Sequence, residues 1–299
     1  MRTPRFRTLL PMVAVLLMVS SGLLAGVPDI VNARIEQLRP EGSLRDWIPA
    51  ELGARSGPVW LAYSVPMIES GGNCCCDRRS RSACRLESGA TGASEFVEQS
   101  PAATPGVGGE LLVFLRASNG RVERLRFFSS DCRIDGGGGT VLWLDGVDPV
   151  ESLSYLDTFV ASNADAASVS RRLVDGAVAA IAFHAASGTF AQLDGYLDAE
   201  RYPEHVRKQT VFWMGTLYQP ESLPRLREAV TDDPSRAVRK QAVFAISLGS
   251  DDQSTGLLIE LARASESPEI RKTALFWLGQ KAGRRASEAL TGAVESDPD

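Results

Sequence analysis

A segment of ten residues recurs three times at constant spacing in the C-terminal half of this chain. The copies span residues 206–215, 238–247 and 270–279, and each begins 32 residues after the one before. Every copy places Arg-Lys at its second and third positions and Phe at its seventh. One such unit cannot bury its own apolar face, so several units must stack to close a core. The repeat therefore predicts an array of stacked units for this half of the chain.

The apolar residues within each copy follow the period of an α-helix. In the first copy, Val206, Val211 and Met214 fall on one helical stripe, and the other copies repeat that stripe. Shorter amphipathic segments follow the copies at residues 223–230, 255–264 and 286–294. A weaker unit precedes them, with helices expected over 173–183 and 190–197. We expect about four antiparallel helix pairs over residues 168–297, packed as an α-solenoid.

The repeat resembles the short HEAT-like repeats named after phycobilisome lyases. The residues that carry the resemblance are an Asp five positions before a Val-Arg pair, which Asp233, Val238 and Arg239 match. Ser265 stands at the Asp position of the next unit and Arg201 at that of the preceding one, so the Asp–Arg ladder of the family is expected to be incomplete. The resemblance implies a solenoid fold and covers residues 168–297.

The region before the repeats has the pattern of a sheet. Residues 58–66, 111–117, 121–130 and 141–144 are rich in β-branched, aliphatic or aromatic residues. Asn119-Gly120 between the second and third runs is a strong hairpin signal. We expect a small antiparallel, β-rich domain over residues 35–147, and a linker helix over 148–167 that begins at an acidic N-cap.

All five cysteines lie in this β-rich region. They are Cys74, Cys75, Cys76, Cys84 and Cys132. Structural disulfides are the first interpretation for an exported chain, with Cys132 bonded to one of the other four. A thiolate metal site and a reactive thiol are the alternatives, although the C-x-x-C spacing of common zinc sites is absent. No metal ligand set is predicted.

The N-terminus has the pattern of an export signal. Arg2, Arg5 and Arg7 precede an apolar run over residues 9–27. Cleavage could follow Ala25 or Ala33, and an uncleaved membrane anchor is the alternative. We expect an exported protein, periplasmic or secreted, that contacts a membrane only if residues 1–27 remain attached.

Charge and motif content narrow the function. The formal charge is −5, and no region has the basic excess that nucleic-acid binding needs. The only histidines, His184 and His205, form no metal or catalytic motif, and neither a phosphate-binding loop nor a nucleophile elbow occurs. No catalytic residue and no cofactor is predicted.

The repeats also supply candidate partner-binding residues. The aligned Arg-Lys pairs form one edge of the predicted solenoid. Two tryptophans share the register position that follows the repeated Phe, which is Phe212, Phe244 or Phe276. These candidates are Arg207, Lys208, Arg239, Lys240, Arg271, Lys272, Trp213 and Trp277. Pairing of the basic residues with acids of neighbouring loops, and burial of the aromatic residues between repeats, are the structural alternatives.

The combined expectation is a two-domain α+β protein, with a small antiparallel β domain followed by an all-α HEAT-like solenoid. The function expected from it is an exported scaffold that binds a protein partner. Two alternatives stay open: an enzyme or accessory similar to phycobilin lyases, and a thiol redox or metal sensor based on the cysteine segment.

Overall fold

The computed structural model describes residues 27–68, 83–87, 109–161, 171–250 and 252–296, with side chains up to residue 283. Residues 1–26 of the predicted export signal lie outside these residues, and so do Cys74, Cys75 and Cys76. The strands are β1 Ile30–Val31, β2 Arg34–Leu38, β3 Val59–Pro66, β4 Cys84–Arg85, β5 Glu110–Ser118, β6 Arg121–Ser129, β7 Ile134–Asp135 and β8 Thr140–Leu144. The helices are α1 Leu44–Gly53, α2 Pro149–Ala161, α3 Arg171–Phe183, α4 Thr189–Gly195, α5 Glu204–Leu217, α6 Leu223–Asp232, α7 Arg236–Leu248, α8 Asp252–Ala264 and α9 Pro268–Ser296.

The larger sheet is mixed, so the predicted antiparallel domain is wrong. Its strand order is β2-β8-β3-β5-β6. The β3-β5-β6 part is antiparallel, but β8 pairs in parallel with both β2 and β3. The β5–β6 hairpin turns at Asn119 and Gly120, which both have positive φ, as the Asn-Gly signal predicts. Parallel pairs join strands distant in sequence, so no local turn signal reveals them.

The two faces of this sheet are covered differently. On one face, a second sheet of the short strands β1-β7-β4, all parallel, encloses an apolar cluster. Trp60, Phe114 and Trp143 of the large sheet belong to this cluster, together with Cys84 and Cys132. On the other face lie helices α1, α2 and α3, whose buried side chains join those of the sheet.

The helical region and the sheet share one core, which is the second correction to the predicted fold. Cβ of Leu125 in β6 would lie 3.7 Å from a Cβ added at Gly176, so α3 packs closely on the strand. The Phe127 ring in β6 lies 5.5 Å from that of Phe183 in α3. The apolar cluster then continues without a break into α5, α7 and α9. Helix α2, expected as a linker, is part of this core.

Helices α3 to α6 alternate between longer and shorter elements, whereas α7 and α8 have 13 residues each. Helix α9 differs from the expected pair. It runs without interruption through residues 268–296, where two helices were expected at 270–279 and 286–294. Residues 280–285 contain no proline, and a single glycine inside a helix costs only about 1 kcal/mol relative to alanine. The helix therefore continues through the expected turn.

Candidate functional site

A groove of about 800 Å³ runs across the first helices of the three repeat copies. One wall is basic and the other carries aromatic rings. Its lining residues are Glu204, Lys208, Ser235, Arg236, Ala237, Lys240, Gln241, Phe244, Thr273 and Trp277. Three candidates from the sequence, Lys208, Lys240 and Trp277, thus come together here.

The arginine of each Arg-Lys pair has a structural contact instead. Arg207 is 5% exposed and binds Asp233 through two hydrogen bonds, Nε to Oδ2 at 2.8 Å and Nη2 to Oδ1 at 3.1 Å. Its Nη1 also donates to the carbonyl oxygen of Tyr202 at 2.6 Å. Because the Asp233 carboxylate is equally buried, the pair compensates two charges that would otherwise be costly inside the protein. Arg207 is therefore not available to a partner.

The equivalent arginines of the next two copies hold backbone carbonyls. Arg239 Nη1 donates to the carbonyl oxygen of Asp233 at 2.7 Å, and Arg271 Nη1 to that of Ser265 at 2.7 Å. These carbonyls lie in the loops before α7 and α9. Ser265 has no carboxylate to offer the preceding Arg239, so the Arg207–Asp233 contact has no equivalent one repeat further along.

The lysines of the first two pairs point into the groove. Lys240 Nζ lies 3.6 Å from the Glu269 carboxylate, which also binds Arg236. Hydrogen bonding and charge from Arg236 lower the pKa of Glu269. Glu204 accepts a hydrogen bond of 2.6 Å from Ser235 Oγ. Among the lining residues, Lys208, Arg236 and Lys240 are cationic and Glu204 is anionic. The net charge of the groove stays positive when the neighbouring Glu269 is counted as well.

The aromatic wall is part of a row of rings that crosses the repeats. Trp277 lies 4.6 Å from Phe244, and Phe244 stacks on Phe212 at 6.2 Å with an interplanar angle of 10°. Trp213, which shares the register of Trp277, is 1% exposed because it packs against Phe183 and Phe212. Only the later of the two predicted tryptophans thus borders the groove.

Phe244, Gln241 and Thr273 are groove residues that the sequence analysis did not select. Their spacing carried a usable signal. Phe244 follows Lys240 by four residues, and Trp277 follows Thr273 by four, so each pair shares one helical face. Lys272 lies outside the groove lining, on an exposed part of α9.

A buried polar chain joins the sheet to the helices away from the groove. Ser152 Oγ in α2 lies 2.9 Å from the Tyr63 hydroxyl in β3 and 2.8 Å from Nε2 of His184. Nδ1 of His184 donates to the carbonyl oxygen of Ala180 at 2.7 Å, since a carbonyl can only accept. Burial lowers the pKa of His184 to about 4, so the ring is neutral near pH 7. This chain lies within the core and has a structural role.

Cys84 and Cys132 lie in the apolar cluster beneath the smaller sheet. Both are buried, and the Cys84 amide donates to the carbonyl oxygen of Arg133 at 2.8 Å. The bonding of Cys132 to Cys74, Cys75, Cys76 or Cys84 stays a prediction, because the first three lie outside the described residues.

Within the described ranges, no group of three or more His, Cys, Asp or Glu side chains is arranged to hold a metal ion. In the same part of the chain, none of the helices combines the length and apolarity of a membrane span.

No protein-family model and no curated protein matches the chain.

Proposed function

We propose that this protein is an exported protein-binding scaffold, and that its groove binds an extended acidic segment of a partner that also carries an aromatic or aliphatic side chain. The observation that carries the proposal is the convergence of Lys208 and Lys240 with the exposed edges of Phe244 and Trp277 in one groove. Such a groove offers cationic and apolar contacts within the reach of a single peptide.

The size and charge of the groove support this partner chemistry. Ligand pockets commonly measure about 300–1,000 Å³, and the groove, at about 800 Å³, accommodates a few side chains of an extended chain. Opposite charges across an interface favour association, whereas like charges disfavour the wrong partner. A partner carboxylate would compete with Glu269 for Lys240 and would meet Lys208 directly.

The aromatic wall supplies the apolar part of the contact. Trp277 is half-buried by its packing on Phe244, so its ring is held in place before a partner binds. Rigid aromatic side chains lose little conformational entropy on binding and are enriched among residues that dominate interfaces. We therefore expect Trp277 to contribute more than any single lysine.

The export part of the proposal rests on the sequence. The three arginines before the apolar run at residues 9–27 have the arrangement of a signal segment, and the five cysteines are typical of proteins in oxidising compartments. The partner is accordingly expected outside the cytoplasm.

Selection from a random peptide library, followed by fluorescence anisotropy with the selected peptide, tests the proposal. We expect enriched peptides to combine Asp or Glu with an aromatic or aliphatic residue. Trp277→Ala should weaken binding at least about tenfold, and Lys208→Glu with Lys240→Glu by a similar factor. Binding should also weaken as salt rises.

Lys272→Glu is the matched control, because Lys272 has the same register position as Lys208 and Lys240 but lies outside the groove. Its effect should stay within about threefold. Selection of basic peptides, or equal losses in the control and the groove variants, would contradict the proposal.

A further inference from the structure

Residues 27–33 come directly after most of the apolar run of the predicted export signal, yet they are part of the folded structure. Strand β1 pairs in parallel with β7, which is the central strand of the smaller sheet. The Ile134 amide donates to the carbonyl oxygen of Asp29 at 2.8 Å. The Gly136 amide donates to that of Val31 at 2.9 Å. Without β1, both amides would lose these partners, and β7 would become an edge strand.

The link between β1 and β2 fits closely against the loop that follows β7. Asn32 Nδ2 donates to Asp135 Oδ1 at 3.0 Å. The carbonyl oxygen of Asn32 accepts from the Gly138 amide at 2.7 Å. A Cβ added at Gly136 would lie 2.6 Å from Cβ of Ala33, so the glycine leaves the space that Ala33 fills. The glycine-rich loop is thus built around Asn32 and Ala33.

Apolar side chains of the same segment help to cover the core. Val27, Ile30 and Ala33 are partly buried against the apolar cluster that the smaller sheet encloses. A chain that began at Arg34 would lose this cover and would start at the first residue of β2. Exposing the cluster to water is unfavourable. Cleavage after Ala33, one of the two sites that the sequence offers, would therefore remove a working part of the fold.

The same packing leaves no spacer for an uncleaved membrane anchor. Because Val27 packs on the apolar cluster, the apolar run available to a bilayer is reduced to residues 9–26. As a helix, these residues would reach about 27 Å at about 1.5 Å per residue, whereas the hydrocarbon core is about 30 Å thick. The headgroup layer adds about 5–7 Å on each side. Only residues 27–29 separate the run from β1, so the folded region would have to enter the headgroup layer.

We propose, on the basis of the export part of the proposed function, that the mature protein retains residues 27–33. The export signal is removed upstream of them, at the bond after Ala25 and not at the bond after Ala33. A signal peptidase hydrolyses the Ala25–Gly26 peptide bond: water adds across the C–N bond and leaves a carboxylate on Ala25 and an α-amino group on Gly26. Ala25 supplies the small side chain that such cleavage requires before the broken bond.

N-terminal sequencing and intact mass of the protein recovered from an exporting host, which expresses the full chain, test the proposal. We expect the exported product to begin with Gly26. An exported product that begins with Arg34, or one that keeps residues 1–27, would overturn the proposal and leave the export part of the proposed function standing. An unprocessed chain confined to the cytosol would overturn both.

Two substitutions separate the candidate bonds. Ala25→Phe places a large side chain directly before the proposed bond and should abolish the mature product. Val31→Gln lies three positions before the alternative bond, where small or apolar residues are required, and should leave processing unchanged. The opposite pattern would assign the cut to the bond after Ala33 and overturn the proposal.

The structural basis can be tested without export. Two chains made without the signal, one beginning at Gly26 and the other at Arg34, are compared by denaturant titration. The unfolding equilibrium constant of the shorter chain should be at least about tenfold larger, because it lacks the hydrogen bonds and the apolar cover of β1. In the longer chain, Ile30→Gln should lower the midpoint, whereas Val150→Gln, at a 52% exposed apolar residue, should not. Equal midpoints for the two chains would overturn the proposal, since residues 27–33 would be dispensable for the fold.

Discussion

The two ends of the helical region contain similar residues in very different surroundings. At one end, α3 is sealed against the sheet, with Phe183 packed between Phe127 and Trp213. At the other end, α9 leaves Leu275 and Phe276 exposed and borders the groove with Trp277. The recurring segment is shared by α5, α7 and α9. The different burial of equivalent positions in α5 and α9 therefore depends on what lies next to each helix.

This difference explains where recognition can take place. At the sealed end, the aromatic residues and the buried polar chain join the sheet and the helices into one core. The open end retains lysines, rings and glycines that no neighbouring element of the described chain covers. The contacts of the first end are structural, and the binding role proposed above falls to the second end.

The largest expected effect tests the sealed side of the comparison. Arg207→Ala would leave the buried Asp233 carboxylate without its bidentate partner, and the free energy of unfolding should fall by about 3–5 kcal/mol. Denaturant titration monitored by circular dichroism measures this change.

The matched control is Arg271→Ala, at the same register position near the open end. This substitution removes only the hydrogen bonds of Arg271 to two backbone carbonyls, so the free energy of unfolding should fall by about 1 kcal/mol. Equal costs at the two positions would show that the buried charge pair does not distinguish the two ends.

A smaller effect depends on pH and concerns the junction between sheet and helices. The pKa of His184 in the folded chain, about 4, lies below the value of about 6.5 in an unfolded chain. As pH falls, the unfolded chain therefore binds the proton first. The stability is fully present above about pH 6.5, and about 3 kcal/mol should be lost as pH falls to about 4.

His184→Gln removes this titration and leaves the carboxylates in place. The wild-type stability should therefore decline more steeply between pH 6.5 and pH 4 than that of the variant, when both are followed by denaturant titration. Parallel pH profiles would contradict the buried, neutral state of His184.

The sequence allowed part of this structure to be predicted, for reasons that are physical. The β5–β6 hairpin follows from Asn119-Gly120, and helix α2 begins as expected where Asp148 Oδ1 accepts from the amides of Val150 and Glu151. Both signals act over a few residues. The parallel pairing of β8 with β2 and β3 depends on contacts across about 100 residues, and no local pattern encodes it.

Part of the candidate site could also be predicted from the sequence. The repeats drew attention to Lys208, Lys240 and Trp277, which meet in the groove. Their role in partner binding stays a prediction. They could not separate Trp213 from Trp277, because the two share one register position and differ only in the neighbours that cover them. The repeats also could not separate Arg207 from Lys208, because the structural role of Arg207 depends on its contact with Asp233 in the next unit.

The central claim is that one end of the helical region is sealed and the other is open, and a matched pair of substitutions measures it directly. Phe212 and Phe276 share a register position and are 9% and 56% exposed. In denaturant titrations at low protein concentration, Phe212→Ala should lower the free energy of unfolding by about 2–3 kcal/mol and Phe276→Ala by less than about 0.5 kcal/mol. Equal losses at the two positions would contradict the account.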